Sequence, residues 1–157
     1  MTQEDKQLLL RDLCARLPYG VKVEAVPYVD PQILCSIDPI RKEFRLDFGE
    51  YRNIFATNWV GEEYSIVKPY LRPMSSMTEE EKEELKQEHV KDEKLYAECL
   101  TKSANGDDSM RGKVIPHFAA DWCNEHHFDY RIDPSTGKTL IESGLAIEAP
   151  EGLYKTK

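Results

Sequence analysis

The hydrophobic period of this chain changes from helical to strand-like across Pro18-Tyr19-Gly20. Before that point Leu9, Leu10, Leu13, Cys14 and Leu17 recur at the spacing that lines one helix face, and Thr2 with Asp5 forms an N-cap pair. After it, Val21, Val23 and Ala25 alternate with Lys22 and Glu24, and Phe44, Leu46 and Phe48 alternate with Glu43, Arg45 and Asp47. Ile33 to Ile37, bracketed by Asp30-Pro31 and Asp38-Pro39, reads as a third strand. Asn53 to Val60 and Glu63 to Lys68 are weaker strand candidates. Short consecutive strands with tight connections predict an antiparallel meander. Curling that meander into a small barrel of the Src-homology type would reduce its exposed edges.

Lys68-Pro69-Tyr70-Leu71-Arg72-Pro73 lacks two backbone donors, which predicts an extended exit segment rather than a central strand. Thr78 and Glu81 then form a capping box for a helix to about Lys102, with apolar residues sparse at first (Leu85) and denser later (Leu95, Tyr96, Cys99, Leu100). Its first turns are expected to project into solvent. Ser103 to Gly112 is a polar loop. A third helix follows from about Val114 to His127, with Pro116 in its first turn and Ile115, Phe118, Ala119, Trp122 and Cys123 as its stripe. Asp133 to Lys138 is a turn between Tyr130–Ile132 and Thr139–Ile141, and Gly144 to Pro150 is apolar enough to dock on the body.

The charge excludes one function class over most of the chain. With 29 acidic against 21 basic residues the net charge is −8, the wrong sign for a non-specific phosphate binder unless a basic face is segregated. The excess is local, because residues 79 to 98 hold nine acidic and four basic side chains. The rest of the chain is near neutral, so the exclusion is weaker for the strand region. The N-terminus has no basic start followed by an apolar run, and no segment approaches the ~20 apolar residues of a membrane span. A cytoplasmic setting is expected, in which Cys14, Cys35, Cys99 and Cys123 read as free thiols.

Four groupings bear on chemistry. Gly137-Lys138-Thr139 copies the end of a phosphate-binding loop, but the glycine that pattern requires five positions earlier is Ile132. Cys123 and His126, with His127, His117 or Cys99, supply one pair at zinc-ligand spacing and lack a second. Cys99 or Cys123 near a histidine would be a nucleophile only in an exposed, electropositive setting, whereas both lie on apolar stripes, and His117 with Asp121 reads as a helix-surface pair. Finally, Arg41, Lys42, Arg45, Arg52, Lys68 and Arg72 with Tyr51, Tyr64 and Tyr70 would suit a single strand of nucleic acid if they gathered on one face. No cofactor or metal is expected.

Several phrases carry a resemblance. They are Leu8 to Leu13, Leu17 to Val21, Lys68 to Glu80, His126 to Arg131, Leu140 to Ala146 and Ala149 to Tyr154. Together they resemble an uncharacterised family of short proteins encoded by gut Bacteroidales and their phages or integrated elements. In that pattern the Asp-Tyr-Arg phrase runs almost directly into Gly-Leu-Ile-Glu, whereas here Ile132 to Thr139 intervenes, so the Gly-Lys-Thr turn resembles an insertion. The resemblance implies a mobile-element or host accessory setting and brings no catalytic residues.

The expected protein is therefore α+β and a single domain over 1–157. A helix and meander occupy 1–72, and a mainly helical part with two helices, the 103–112 loop and a docked tail occupies 73–157. Its expected role is a non-enzymatic interaction module contacting a protein partner or a second copy through Lys68, Tyr70, Leu71, Arg72, Phe128, Tyr130 and Arg131. Packing of the Lys68 segment on the protein's own core is the competing reading. A nucleic-acid accessory role through Arg41, Lys42, Arg45 and Arg52, and an unrecognised enzyme, are the alternatives.

Overall fold

The capping pair at the N-terminus forms reciprocally, Asp5 N–H donating to Thr2 Oγ1 at 3.1 Å and Thr2 N–H to the Asp5 carboxylate at 2.7 Å. It opens α1 (Gln3–Arg16) in the computed structural model, which describes residues 1–47, 49–106 and 117–154. The chain divides into two units, Met1–Ser75 with Asn124–Lys157, and Ser76–Cys123.

In the first unit, the predicted alternation becomes β1 (Lys22–Ala25), β2 (Gln32–Asp38) and β3 (Glu43–Leu46), an antiparallel meander continued by the short β4 (Arg52–Asn53). Leu9 and Leu13 of α1 pack in one core with Val21, Val23, Leu34, Phe44, Leu46 and Ile54, the residues that the two periods assign to the inner faces. Phe48, expected to extend β3, lies outside the described residues.

β5 (Phe55–Thr57) and β6 (Glu63–Ser65) form a separate antiparallel hairpin. Backbone bonds from Ile54 N–H to Lys42 O (2.8 Å) and Ile66 N–H to Ile54 O (3.0 Å) tie it to the meander at its corners. The main sheet is nevertheless not closed into a barrel. It runs β4-β3-β2-β1-β7-β8, with β9 also on β7.

The exit segment differs from expectation. Val67–Pro73 is β7, and it lies inside the sheet, antiparallel to β1 and parallel to β8 (Phe128–Asp129) and β9 (Ile147–Glu148). The reason is parity. Val26 N–H bonds Ile66 O, so the alternation of an antiparallel pair makes Glu24–Lys68 the next hydrogen-bonded pair and leaves Pro69, opposite Val23, at a position where β1 needs no donor. Sequence composition identified the missing donors but not the side of the strand they face.

The tail docks through β9, with Leu140, Leu145 and Ala146 buried around Leu71. Tyr130–Ile132 and Thr139–Ile141 meet only at an Ile132–Thr139 bridge. In the second unit the Thr78–Glu81 capping box forms and starts α2 (Glu79–Ala104). Contrary to the expectation of an open first turn, Glu81 is buried, its carboxylate held by the Thr78 N–H at 2.9 Å. Tyr96, expected to pack, is exposed. The Asp92 carboxylate accepts the Phe118 and Ala119 N–H groups at 2.6 and 3.1 Å, and so caps α3 (Phe118–Glu125) across the sequence. Val114 to Pro116 and most of the expected 103–112 loop lie outside the described residues.

Candidate functional site

The β1–β7 ladder stops one pair early. At Lys22 and Tyr70, where the alternation calls for the next exchange of bonds, the Tyr154 hydroxyl stands instead. It accepts Lys22 N–H at 2.9 Å and donates to Tyr70 O at 2.9 Å. Burial pushes the Tyr154 phenol up to about 12, so it remains a neutral donor. On the other side of the ring lies the His127 imidazole, stacked with centroids 3.8 Å apart. His127 links α3 to β8 in the left-handed region (φ 60°), and its carbonyl accepts Arg72 N–H at 2.8 Å.

Tyr154, His127 and Arg72 wall a cavity of about 570 Å³, completed by Pro18, Tyr19, Gly20 and Lys22 and by Glu125 and His126. Gly20 takes φ 66° at the turn after α1, which lets the chain reverse into β1. Lys22 Nζ donates to Leu153 O at 3.0 Å. Among the described residues no carboxylate lies within ion-pair distance of that ammonium, which stands 5.9 Å from the Tyr154 ring centroid.

Beneath the cavity is a buried ionic network. Asp12 and Arg16 are 0% exposed. Arg16 Nε donates to Asp12 at 2.8 Å and its Nη2 to Phe128 O at 2.6 Å, while Arg131 Nε donates to the other Asp12 oxygen at 2.9 Å. The Tyr130 ring lies against both guanidiniums, at 5.7 and 5.1 Å, and its hydroxyl donates to Asn124 at 3.2 Å.

Burial and then the positive charge of Arg16, followed by His126, Arg72 and Lys22, hold the His127 imidazole neutral, lowering its pKa from 6.5 to about 4. The unfolded chain therefore takes up a proton near 6.5 that the folded chain refuses until about 4. This contribution to stability is whole above the upper value and is lost as the pH falls through that window. Urea titrations at a series of pH values should show that decline. His127→Asn, which tolerates the left-handed backbone, should flatten it; equal slopes for both proteins would contradict the assignment.

The two phrases singled out in the sequence meet each other, in the register Arg72 opposite Phe128. Tyr70, Leu71 and Phe128 are buried rather than presented, whereas Lys68, Tyr130 and Arg131 are half-buried. Own-core packing of the Lys68 segment is thus what the structure has. Arg72 lines the cavity, its guanidinium 4.2 Å from the Phe128 ring centroid. Lys22 and Tyr154 were missed as site residues, and His127 was considered only beside Cys123 and His126 as a metal-ligand candidate. Tyr154 acts through a contact 132 residues distant in sequence, for which local pattern gives no signal.

The basic set is divided. Arg41, Lys42, Arg45 and Arg52 are exposed around β3 and β4, with Arg41 near Asp38 at 3.8 Å and Arg45 and Arg52 over the Tyr51 and Tyr28 rings at 5.8 and 5.7 Å. Lys68 and Arg72 lie on β7, with β2 and β1 between. Tyr64 is on the separate hairpin. Gly137-Lys138-Thr139 belongs to a turn closed by Asp133, not to a strand–helix junction. No group of three His, Cys, Asp or Glu is placed to hold a metal among the described residues. Cys14 is half-buried, Cys35 exposed and Cys123 buried; Cys99 has no described side chain. No helix among the described residues is long and apolar enough to cross a membrane. Comparison with protein families, curated proteins and solved structures gives no match.

Proposed function

We propose that this protein is a non-enzymatic binding module whose cavity takes an anionic group carried on a planar, apolar body. The observation that carries the reading is the Lys22 ammonium, without a carboxylate partner among the described residues, beside the Tyr154 and His127 rings in a cavity of about 570 Å³. A cation next to aromatic walls favours a carboxylate or phosphate joined to a ring, since the charge fixes orientation and the ring fills apolar space. Arg72 adds positive charge and Glu125 opposes it, which favours one anionic group over several. Tyr154, with its phenol near 12, and His127, neutral down to about 4, supply shape and hydrogen bonding and neither a nucleophile nor a proton donor at neutral pH. The resemblance to mobile-element proteins of gut Bacteroidales suits a cytoplasmic accessory role of this kind.

Calorimetric titration with phenyl phosphate, and with phenol and inorganic phosphate as half-probes, tests the reading. Phenyl phosphate should bind at one site and more tightly than either half. Lys22→Ala should weaken it about tenfold or more, the worth of one charge-assisted bond. Equal weak binding of all three probes, unaffected by Lys22→Ala, would contradict it.

A further inference from the structure

The most exposed large apolar side chain among the described residues is Trp59, at 94%, with Val60 beside it at 60%. They form the tip of the β5–β6 hairpin. That tip is not loose. Asn58 O accepts Gly61 N–H, Asn58 N–H donates to Glu62 O, and Asn58 Oδ1 accepts both Val60 N–H (3.0 Å) and Glu62 N–H (2.9 Å). Gly61, at φ 85°, supplies the left-handed residue the turn needs. The base is fixed as well, by the Lys6–Glu63 ion pair and the Lys6 ammonium over the Phe55 ring at 5.6 Å. A preorganised tryptophan loses little conformational entropy on docking and is the residue type most often found at binding hot spots.

We infer that the cavity receives the hairpin tip of a second copy of this chain, Trp59 entering beside the stacked Tyr154 and His127 rings and Glu62 meeting Lys22. This rests on the reading of the cavity as a site for an anionic group on a planar body. Charge is complementary, because residues 53 to 67 contain two acidic residues and no basic one, while Lys22 and Arg72 outnumber Glu125 along the cavity. An indole buries roughly 150–250 Å² of surface on docking. The hairpin of the same chain does not line this cavity. The hairpin base is held at the first turns of α1, at Met1 and Lys6, whereas Pro18 to Gly20 place the cavity beyond its last turn. The stretch of α1 from Lys6 to Arg16 alone spans about 15 Å. The contact joins unlike surfaces, so it closes as a reciprocal pair or a ring, or continues as a chain of copies. Its small area makes it weak and dependent on concentration.

Analytical ultracentrifugation of the full chain across the micromolar range, with tryptophan emission recorded on the same samples, tests the inference. Mass should rise above the 18.2 kDa of one chain, and emission should shift to shorter wavelength as Trp59 leaves water. Trp59→Ala should weaken association about 30-fold, as truncating a hot-spot aromatic does, and leave phenyl phosphate affinity unchanged when measured at protein concentrations below the association range. Glu62→Lys should weaken it too, and pairing it with Lys22→Glu should restore it. Excess phenyl phosphate should dissociate the wild type. A wild type that stays monomeric yet binds phenyl phosphate overturns the self-docking and spares the cavity reading. Association that needs Trp59 while phenyl phosphate neither binds nor competes overturns both.

Discussion

Asp12→Ala is expected to destabilise the first unit by about 3–5 kcal/mol, the cost of breaking a buried ion pair from one side. Asp12 is fully buried and its two oxygens accept from Arg16 and Arg131. Its removal leaves the Arg16 guanidinium, also fully buried, with the Phe128 carbonyl as its acceptor. The neighbouring Asp129 carboxylate is engaged by the Leu140 and Ile141 N–H groups. Arg16 is already short of acceptors, since its Nη1 has no partner among the described residues. Asp12→Ala with Arg16→Met should recover much of the loss, because an apolar pair of similar volume avoids burying an uncompensated charge. Urea unfolding at neutral pH measures both. A single-variant loss below about 1 kcal/mol would mean that water reaches the pair.

Phe128→Ala should cost a similar amount, about 3–5 kcal/mol. Phe128 is 0% exposed, pairs with Arg72 in the β7–β8 register and carries the Arg72 guanidinium on its ring. If this residue served a partner rather than the core, its truncation would leave the unfolding midpoint in place and change only association. The expected pattern is the reverse: a large fall in the midpoint. Cavity binding should weaken secondarily, through the loss of Arg72's support.

Both variants bear on what sequence reveals. Periodicity placed α1, the strands of the meander and their inner faces, because Leu9, Leu13, Val21, Val23, Phe44 and Leu46 are dictated by neighbours a few residues away. Thr2–Asp5 and Thr78–Glu81 were equally legible, since a capping box is contained in four residues. β7 was not, because whether Pro69 harms a ladder depends on which edge its nitrogen faces, a property of the partner strand's register. Nor was Tyr154, which completes a ladder from the far end of the chain. Arg72 was named from its place in a proline-bounded phrase and does line the cavity. Lys22 read only as the polar half of an alternation, and its unbalanced charge emerges when β1, the Leu153 carbonyl and the cavity are seen together.

The central claim is that the Lys22, Tyr154 and His127 cavity accepts an anionic group on an aromatic body. Aromatic side-chain NMR during a phenyl phosphate titration measures this most directly, because the ring current of a bound phenyl group displaces the resonances of the rings it touches. The account predicts saturable shifts of the Tyr154 and His127 ring signals, with Tyr130 little changed, and their loss in Lys22→Ala. Shifts that grow linearly without saturating, or that fall on Tyr28 and Tyr51 beside Arg52 and Arg45 instead, would contradict it.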